Sequence, residues 1–399
     1  MSDRFVSSRY RGQASTPMSS SVDRATRYAD VINFSLGDPE LTTDGRVIDA
    51  AMADAHRGHT HYTDTFGYPD LREEILRVYA DDHGHTHDPA GVLVTTSACH
   101  GMWLALETIL DDGDEVIILA PYFTPYPHQI RLARGVPVVV DTREEDGYQV
   151  RLDALEAAIT PRTRAIILNT PSNPTGACLR RSTSEQIARL ADKHDLVVIA
   201  DEIYTAFSYA EPFEPFVTIP GMVERTITLN SLSKDFVMTG WRIGYALGPA
   251  EVIRAMKDVN ENNVFTAPSI SQRAALHALR LRHDIVPPIS ALYRERIMRA
   301  YQRVCELPAM SALEPGGSIY LWVNITQTGL SSTEVADRLF EEAHVLTLPG
   351  PAFGDCGEGY LRLAMTVGRD RSAMVTAPIP TSMVRVAVWV AGVAFMGLQ

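Results

Sequence analysis

The sequence has little cysteine: Cys99, Cys178, Cys305 and Cys356 are the only four in 399 residues, far apart and in no metal-ligand spacing. That excludes a disulfide-stapled secreted scaffold, leaves no metal expected, and fits free thiols in a reducing compartment. The N-terminus, MSDRFVSSRYRGQ, lacks a basic stretch followed by an apolar run, so no export signal is expected and the cytoplasm is the expected location. Clustered Lys and Arg are also missing. The formal net charge of −13 argues against a nucleic-acid partner and leaves small molecules as the expected ones. The uncharged apolar stretch Val386 to Leu398 has thirteen residues, short of the roughly 20 a membrane helix needs. It reads as a buried helix or strand, and no membrane partner is expected.

With 45% hydrophobic and 21% charged residues, the chain has an ordinary globular composition and the length for two domains. From Val92 to Gly248, short β-branched runs alternate with helical patterns, the signature of βαβ units and a mainly parallel sheet. The runs Val92–Thr95, Glu115–Leu119, Pro137–Val140, Ala165–Leu168, Val197–Ala200, Thr226–Leu229 and Ile243–Leu247 read as seven strands covered on both faces. Ser182-Thr-Ser-Glu185-Gln186 predicts a helix opened by a capping box and closing near His194. Beyond Gly248 the pattern turns to helices over Ala250–Asn260, Ser269–Arg282 and Ile289–Leu307, then to a shorter α/β section over Gly317–Thr366. The expected organisation is an N-terminal arm with part of a small domain over 1–45, a large domain over 46–285, and a small α/β domain over 286–399. The boundary falls near Arg282 to Pro288.

The chemistry sits in motifs that follow predicted strands. Asn230-Ser231-Leu-Ser233-Lys234-Asp-Phe-Val-Met-Thr239-Gly-Trp-Arg242 offers an amine that can hold an aldehyde as an imine and then act as a general base. Ser231, Ser233 and Arg242 beside it suit a phosphate dianion. Alone, a loop lysine reads as a solvated side chain. Asp201-Glu202-Ile203-Tyr204 follows the run Leu196-Val-Val-Ile-Ala200, which puts Asp201 at the carboxyl end of a strand, where α/β sheets bind ligands. A carboxylate there keeps a pyridine nitrogen protonated, and Tyr204 can bond a ring hydroxyl. Asn169-Thr-Pro-Ser-Asn173-Pro174-Thr-Gly176 follows another strand and presents Asn173 from a tight turn.

These motifs, in this order and spacing, resemble the class I and II aminotransferases of fold type I that depend on pyridoxal 5'-phosphate (PLP), from about Ser35 to Thr366. The resemblance implies a mainly parallel seven-stranded sheet flanked by helices, with a smaller α/β domain. It implies Lys234 as the Schiff-base lysine, Asp201 as the pyridine-nitrogen partner, Tyr204 and Asn173 as ring-hydroxyl partners, and Arg242 with Ser231 as the phosphate clamp. Thr95-Thr-Ser97-Ala98-Cys99-His-Gly101 opens a predicted helix, so Ala98 and Cys99 are expected at the phosphate; the family usually has Gly where Ser97 stands. Phe123, in Pro121-Tyr122-Phe123, is the candidate for stacking on the pyridine. Tyr62, in His61-Tyr62-Thr-Asp-Thr-Phe-Gly67, resembles the tyrosine that reaches the phosphate of a neighbouring subunit, which implies a homodimer. Arg362, inside the apolar run Tyr360-Leu-Arg-Leu-Ala364, is costly to bury without an anion. It matches the arginine that clamps the substrate α-carboxylate, with the Gly37 turn approaching the same group and Asn173 beside it.

The implied reaction moves the amino group of an L-amino acid to a 2-oxo acid. The same scaffold supports other outcomes, such as β-elimination from cysteine conjugates. The segments Asp201–Tyr204 and Thr239–Arg242 resemble the aminotransferase branch more than the lyases. A PLP-sensing regulator would need an added DNA-binding domain, for which the first forty-odd residues have no room. After Arg362 the family's closing amphipathic helix is replaced by a stretch with Pro378 and Pro380 and then the apolar tail, an altered ending expected to weaken the small domain.

Overall fold

The computed structural model describes residues 5–7, 10 and 23–367. The expectations for Pro378, Pro380 and the Val386–Leu398 run lie outside them, as does most of the N-terminal arm. The chain runs β1 (Ile32–Asn33), α1 (Gly45–His56), α2 (Pro69–His83), β2 (Val92–Thr95), α3 (Ala98–Ile109), β3 (Glu115–Ala120) and α4 (Tyr126–Leu132). Then come β4 (Val136–Asp141), α5 (Leu152–Ala157), β5 (Thr163–Asn169), α6 (Arg181–Lys193), β6 (Val197–Asp201), β7 (Thr226–Ser231) and β8 (Gly244–Leu247). Three helices follow, α7 (Ala250–Glu261), α8 (Ser269–Arg280) and α9 (Arg282–Cys305). The last section holds β9 (Ser311–Ala312), β10 (Tyr320–Asn324), α10 (Ser332–Ala343), β11 (Val345–Leu346), β12 (Leu348–Pro349) and β13 (Tyr360–Ala364).

The seven predicted strands form one sheet in the order β2-β8-β7-β6-β5-β3-β4. Strand β8 pairs antiparallel with β2 and β7, and the other pairings are parallel. Burial of both faces explains why the inner strands are apolar throughout; β4, expected to be covered on both faces too, is an edge strand that leaves Val136 and Val139 exposed. Val116, Ile118, Ile167 and Ile199 pack on one face with α3 and α7, whereas Ile117, Ile166, Val198 and Ala200 pack on the other with α6. Each fully buried Val or Ile contributes about 1.5–3 kcal/mol. A four-stranded antiparallel sheet, β12-β13-β10-β9, packs with α9 and α10 around a separate apolar cluster.

Two local expectations need correction. Helix α6 starts at Arg181 with Arg180 at its N-cap and no side-chain cap, so the capping box is not formed; Ser182 lies inside the first turn. The C-terminal end at His194 is as predicted. The prolines Pro287 and Pro288 lie inside α9, which runs unbroken from Arg282 to Cys305 rather than starting at Ile289.

Parallel strands in register bring their carboxyl ends to one edge. Asn169 is paired with Asp201, and Asp201 with Leu229, so the ends of β5, β6 and β7 stand side by side there. The N-terminus of α3 opens toward the same edge, because β2 leads into it through Ser97, whose hydroxyl accepts the His100 N–H at 3.0 Å.

Candidate active site

The chain contains only three lysines. Lys193 pairs with Glu156, and Lys257 with Asp258 and Glu261. The half-buried Lys234 instead donates to the backbone carbonyl of Gly37. An amine held by a neutral acceptor, with no carboxylate bridge, is free to act as nucleophile and base.

Asp201 is buried at the end of β6. Tyr126 donates to its Oδ2 at 2.5 Å, while Oδ1 is buried with no hydrogen-bond partner among the described residues. Burial pushes the carboxyl up to about 6, partly offset by the Tyr126 bond and by the nearby Ile203 backbone N–H. Such a group suits a cationic N–H donor at Oδ1, which would further favour the charged form. Asn169 fixes the strand end by donating to the Asp201 carbonyl at 3.0 Å, and its own side-chain oxygen accepts the Asn173 N–H at 2.8 Å.

Around the Lys234 loop, Ser231 and Ser233 are buried and bonded to each other through their hydroxyls at 2.8 Å. Arg242 is exposed, donates to the Thr239 carbonyl at 2.8 Å, and holds a left-handed φ of 54°. A non-glycine residue in that region marks local strain of the kind functional sites carry. Gly244 lets β8 lie against the α3 N-terminus: a Cβ there would fall 2.8 Å from the Ala98 nitrogen. Cys99 is exposed at that helix start, where Gln129 donates to both its carbonyl and its sulfur. Hydroxyls, a guanidinium and helix N–H groups together fit a phosphate dianion.

Arg362 projects from β13 and is 1% exposed. It donates to the Asn173 side-chain oxygen at 3.1 Å and to the Ser35 carbonyl, while its Nε is buried without a partner among the described residues. Its guanidinium lies over the rings of Tyr320 and Phe353, 4.4 and 4.9 Å from their centroids. Burial pulls its proton affinity down, and among the described residues no carboxylate pairs with it to oppose that pull. A buried cation with neutral partners is a receptor for an anion brought from solution. Tyr204 is buried, and its hydroxyl donates to that of Tyr320 at 3.1 Å.

The structure therefore gathers most of the predicted residues at the carboxyl edge of the sheet. Phe123 is partly buried and meets the Tyr126 ring edge-on, with centroids 5.6 Å apart. Tyr62 stands apart on the surface of the single chain, 85% exposed, with Phe265 edge-on at 4.9 Å. Sequence reasoning missed Tyr126, Asn169 and Tyr320. The Asn169 signal was available, since it closes the same strand that leads to Asn173. The partnerships of Tyr126 and Tyr320 span 75 and 116 residues, and no local pattern marks them.

The sequence pattern described as "Aminotransferase class I and II" matches residues 29–375. The chain belongs to the class I and II aminotransferases. It is 36% identical to an aspartate aminotransferase of Geobacillus stearothermophilus over 82% of this chain and 84% of that protein. It is 35% identical to aromatic-amino-acid aminotransferase 2 of Thermococcus litoralis, over 88% of this chain and 90% of that one. The solved structure of Thermus thermophilus aspartate aminotransferase with maleate superposes with a TM-score of 0.88 at 31% identity, covering 97% of this chain and 99% of the other. This aminotransferase thus has its family's fold. Among its described residues no helix is long and apolar enough to cross a membrane.

Proposed function

We propose that this aminotransferase uses PLP, anchored on Lys234, to move the amino group of an L-amino acid to a 2-oxo acid. The observation that carries the reading is the pair of unmet charges: the Asp201 carboxylate, with one buried oxygen free, and the Arg362 guanidinium, buried without a carboxylate. The first suits a protonated pyridine nitrogen and the second a substrate α-carboxylate. PLP, when bound, supplies an aldehyde that amines capture and a cationic ring that accepts electrons from the substrate Cα.

The protein's own residues do the rest. With the cofactor bound, Asp201 Oδ1 would accept the ring N–H and keep that proton in place, with Tyr126 fixing the carboxylate from the other side. Tyr204 would donate to the ring hydroxyl oxygen, joined by the Asn173 amide. Ser231, Ser233, Arg242 and the backbone N–H groups of Ala98 and Cys99 would hold the phosphate, and Phe123 would pack on the ring. Arg362 with Asn173 orients the α-carboxylate beside the Gly37 turn. Lys234 Nζ would take the proton from the substrate Cα and deliver it to the cofactor carbon that bore the aldehyde, not back to Cα.

Tyr62, Val264 and Phe265 form an exposed apolar patch. We read it as covered by a second copy in a homodimer, with Tyr62 completing the neighbouring phosphate site. The four free thiols fit a cytoplasmic enzyme.

The visible spectrum of the PLP-loaded protein, before and after single L-amino acids without oxo acid, tests the reading. The cofactor band should bleach with one equivalent of 2-oxo acid released, which also names the donor; L-aspartate and L-phenylalanine come first, given the relatives' names. Lys234→Ala should lose both the lysine-dependent band and turnover. Absence of any band after PLP is supplied would overturn the proposal, and pyruvate with ammonia from a cysteine conjugate would replace it with a lyase.

A further inference from the structure

Tyr320 stands where three parts of the site meet. It opens β10 and is 3% exposed. Its ring lies under the Arg362 guanidinium at 4.4 Å, and its hydroxyl is 3.1 Å from that of Tyr204, with the two rings edge-on at 5.7 Å. The Gly37 turn is pressed onto the same hydroxyl, since a Cβ on Gly37 would fall 1.9 Å from the Tyr320 oxygen. The Gly37 carbonyl in turn accepts Lys234 Nζ. One side chain from the four-stranded sheet therefore touches the residue that receives the carboxylate, the phenol that faces the cofactor ring, and the turn that holds the lysine.

Two phenols in contact share one hydrogen bond, and here Tyr204 is the donor. When the Tyr204 proton turns to another acceptor, the bond survives only if Tyr320 becomes the donor. A hydroxyl that accepts a hydrogen bond donates more strongly in its turn, most of all where water is excluded. The ring of Tyr320 meanwhile offers its electron-rich face to a guanidinium that lacks a counter-ion, an attraction that grows with desolvation.

We infer that Tyr320 is a positioning residue of the aminotransferase: its hydroxyl sets the donor strength of Tyr204 and its ring fixes Arg362 for the substrate carboxylate. The inference rests on the roles given above to Tyr204 and Arg362. It also makes the two halves of Tyr320 separable, because Tyr320→Phe removes only the hydroxyl and Tyr320→Leu removes the ring as well.

The test uses PLP-loaded wild type, Tyr204→Phe, Tyr320→Phe, the double Phe variant and Tyr320→Leu. The first readout is the pH midpoint of the visible cofactor band, which reports how well a donor stabilises the ring oxygen in its deprotonated form. Tyr204→Phe should raise the midpoint by about one unit, Tyr320→Phe by about half a unit, and the double variant no further than Tyr204→Phe. The second readout is the dissociation constant of two unreactive carboxylates, maleate and hydrocinnamate. For each, Tyr320→Phe should bind within about twofold of wild type and Tyr320→Leu about tenfold more weakly. A midpoint moved by Tyr204→Phe but not by Tyr320→Phe, or additive shifts in the double variant, would overturn the inference and leave the Tyr204 role standing. A midpoint unmoved by Tyr204→Phe would remove that role and the inference with it. Carboxylate binding weakened equally by Phe and Leu would refute the part played by the ring.

Discussion

Glu202 follows Asp201 directly, and the alternation of an extended chain turns it away from the site. It is wholly buried, with Oε1 accepting the Phe216 N–H at 2.8 Å and Oε2 without a partner. Burial, with some repulsion from Asp201, pushes its carboxyl up to about 8. An acid whose folded value is raised binds its proton more tightly when folded. Its stabilising contribution is complete below the unfolded value, near 4.5, and is lost as pH rises through about 8. Glu202→Gln keeps an oxygen for Phe216 and cannot ionise. The stability of the cofactor-free variant relative to wild type, read from melting temperatures, should therefore climb between about pH 4.5 and 8 and level off above, by on the order of a few kcal/mol at most. A difference that stays flat over that range would mean Glu202 titrates near its ordinary value. Asp201 differs in kind: on the proposed reading its Oδ1 faces the pyridine cation, so a ligand would compensate its burial, whereas Glu202 has none to wait for.

At the scale of elements, α6 shows what a sequence pattern leaves open. Ser182 and Glu185 have capping-box chemistry, yet the helix begins two residues earlier than a Ser182 cap would require. Thr183 is drawn inward, where its hydroxyl donates to Gln149 at 3.1 Å, and Gln149 also accepts the Arg180 N–H at 3.0 Å. Tertiary contacts to Gln149, not the cap, set the start. The N-cap thus carries an exposed arginine with no side-chain bond, beside the positive end of the helix dipole. Arg180→Ser should stabilise the protein by about 1 kcal/mol, read as a higher denaturant midpoint at unchanged slope; an unchanged midpoint would mean the first turn is already satisfied by Gln149.

The same balance explains α9. Pro287 and Pro288 remove two ladder hydrogen bonds and read as a boundary. Arg282, bonded to Asp81 and Asp82, and Ser290, donating to the Ala206 carbonyl at 2.6 Å, anchor the helix on both sides of the prolines. By contrast, the seven strands were legible within a residue or two, because the inner ones, covered on both faces, need unbroken apolar runs; β4 kept its valine run although Val136 and Val139 are exposed at the sheet's edge. The Lys234, Asp201, Asn173 and Arg362 positions were legible because each follows or sits in such a run. What stayed hidden was the partner that reaches each of them from elsewhere in the chain, namely Tyr126, Tyr320 and the Ser35 carbonyl.

At the scale of the whole molecule, several ties join the seven-stranded and four-stranded sheets, two of them at the site. Arg362 reaches Asn173, Tyr320 meets Tyr204, and Glu144 accepts from Asn324 at 2.6 Å and from Tyr360 at 2.9 Å. One tie is left for the assembly to supply. If Tyr62 acts in the neighbouring subunit, a site takes its lysine from one chain and its tyrosine from the other, and two defective chains can complement. Mixing Lys234→Ala with Tyr62→Ala, followed by subunit exchange at limiting PLP, yields mixed dimers in about half of the population. In each of these, one site carries both lesions and the other neither. Activity should recover to roughly a quarter of wild type, well above either parent, where statistical pairing holds. If Tyr62 serves its own chain, every site in the mixture keeps one lesion and activity stays at the average of the two parents. The contrast depends only on which chain supplies the tyrosine, so it assigns Tyr62 without requiring the substrate's side chain to be known in advance.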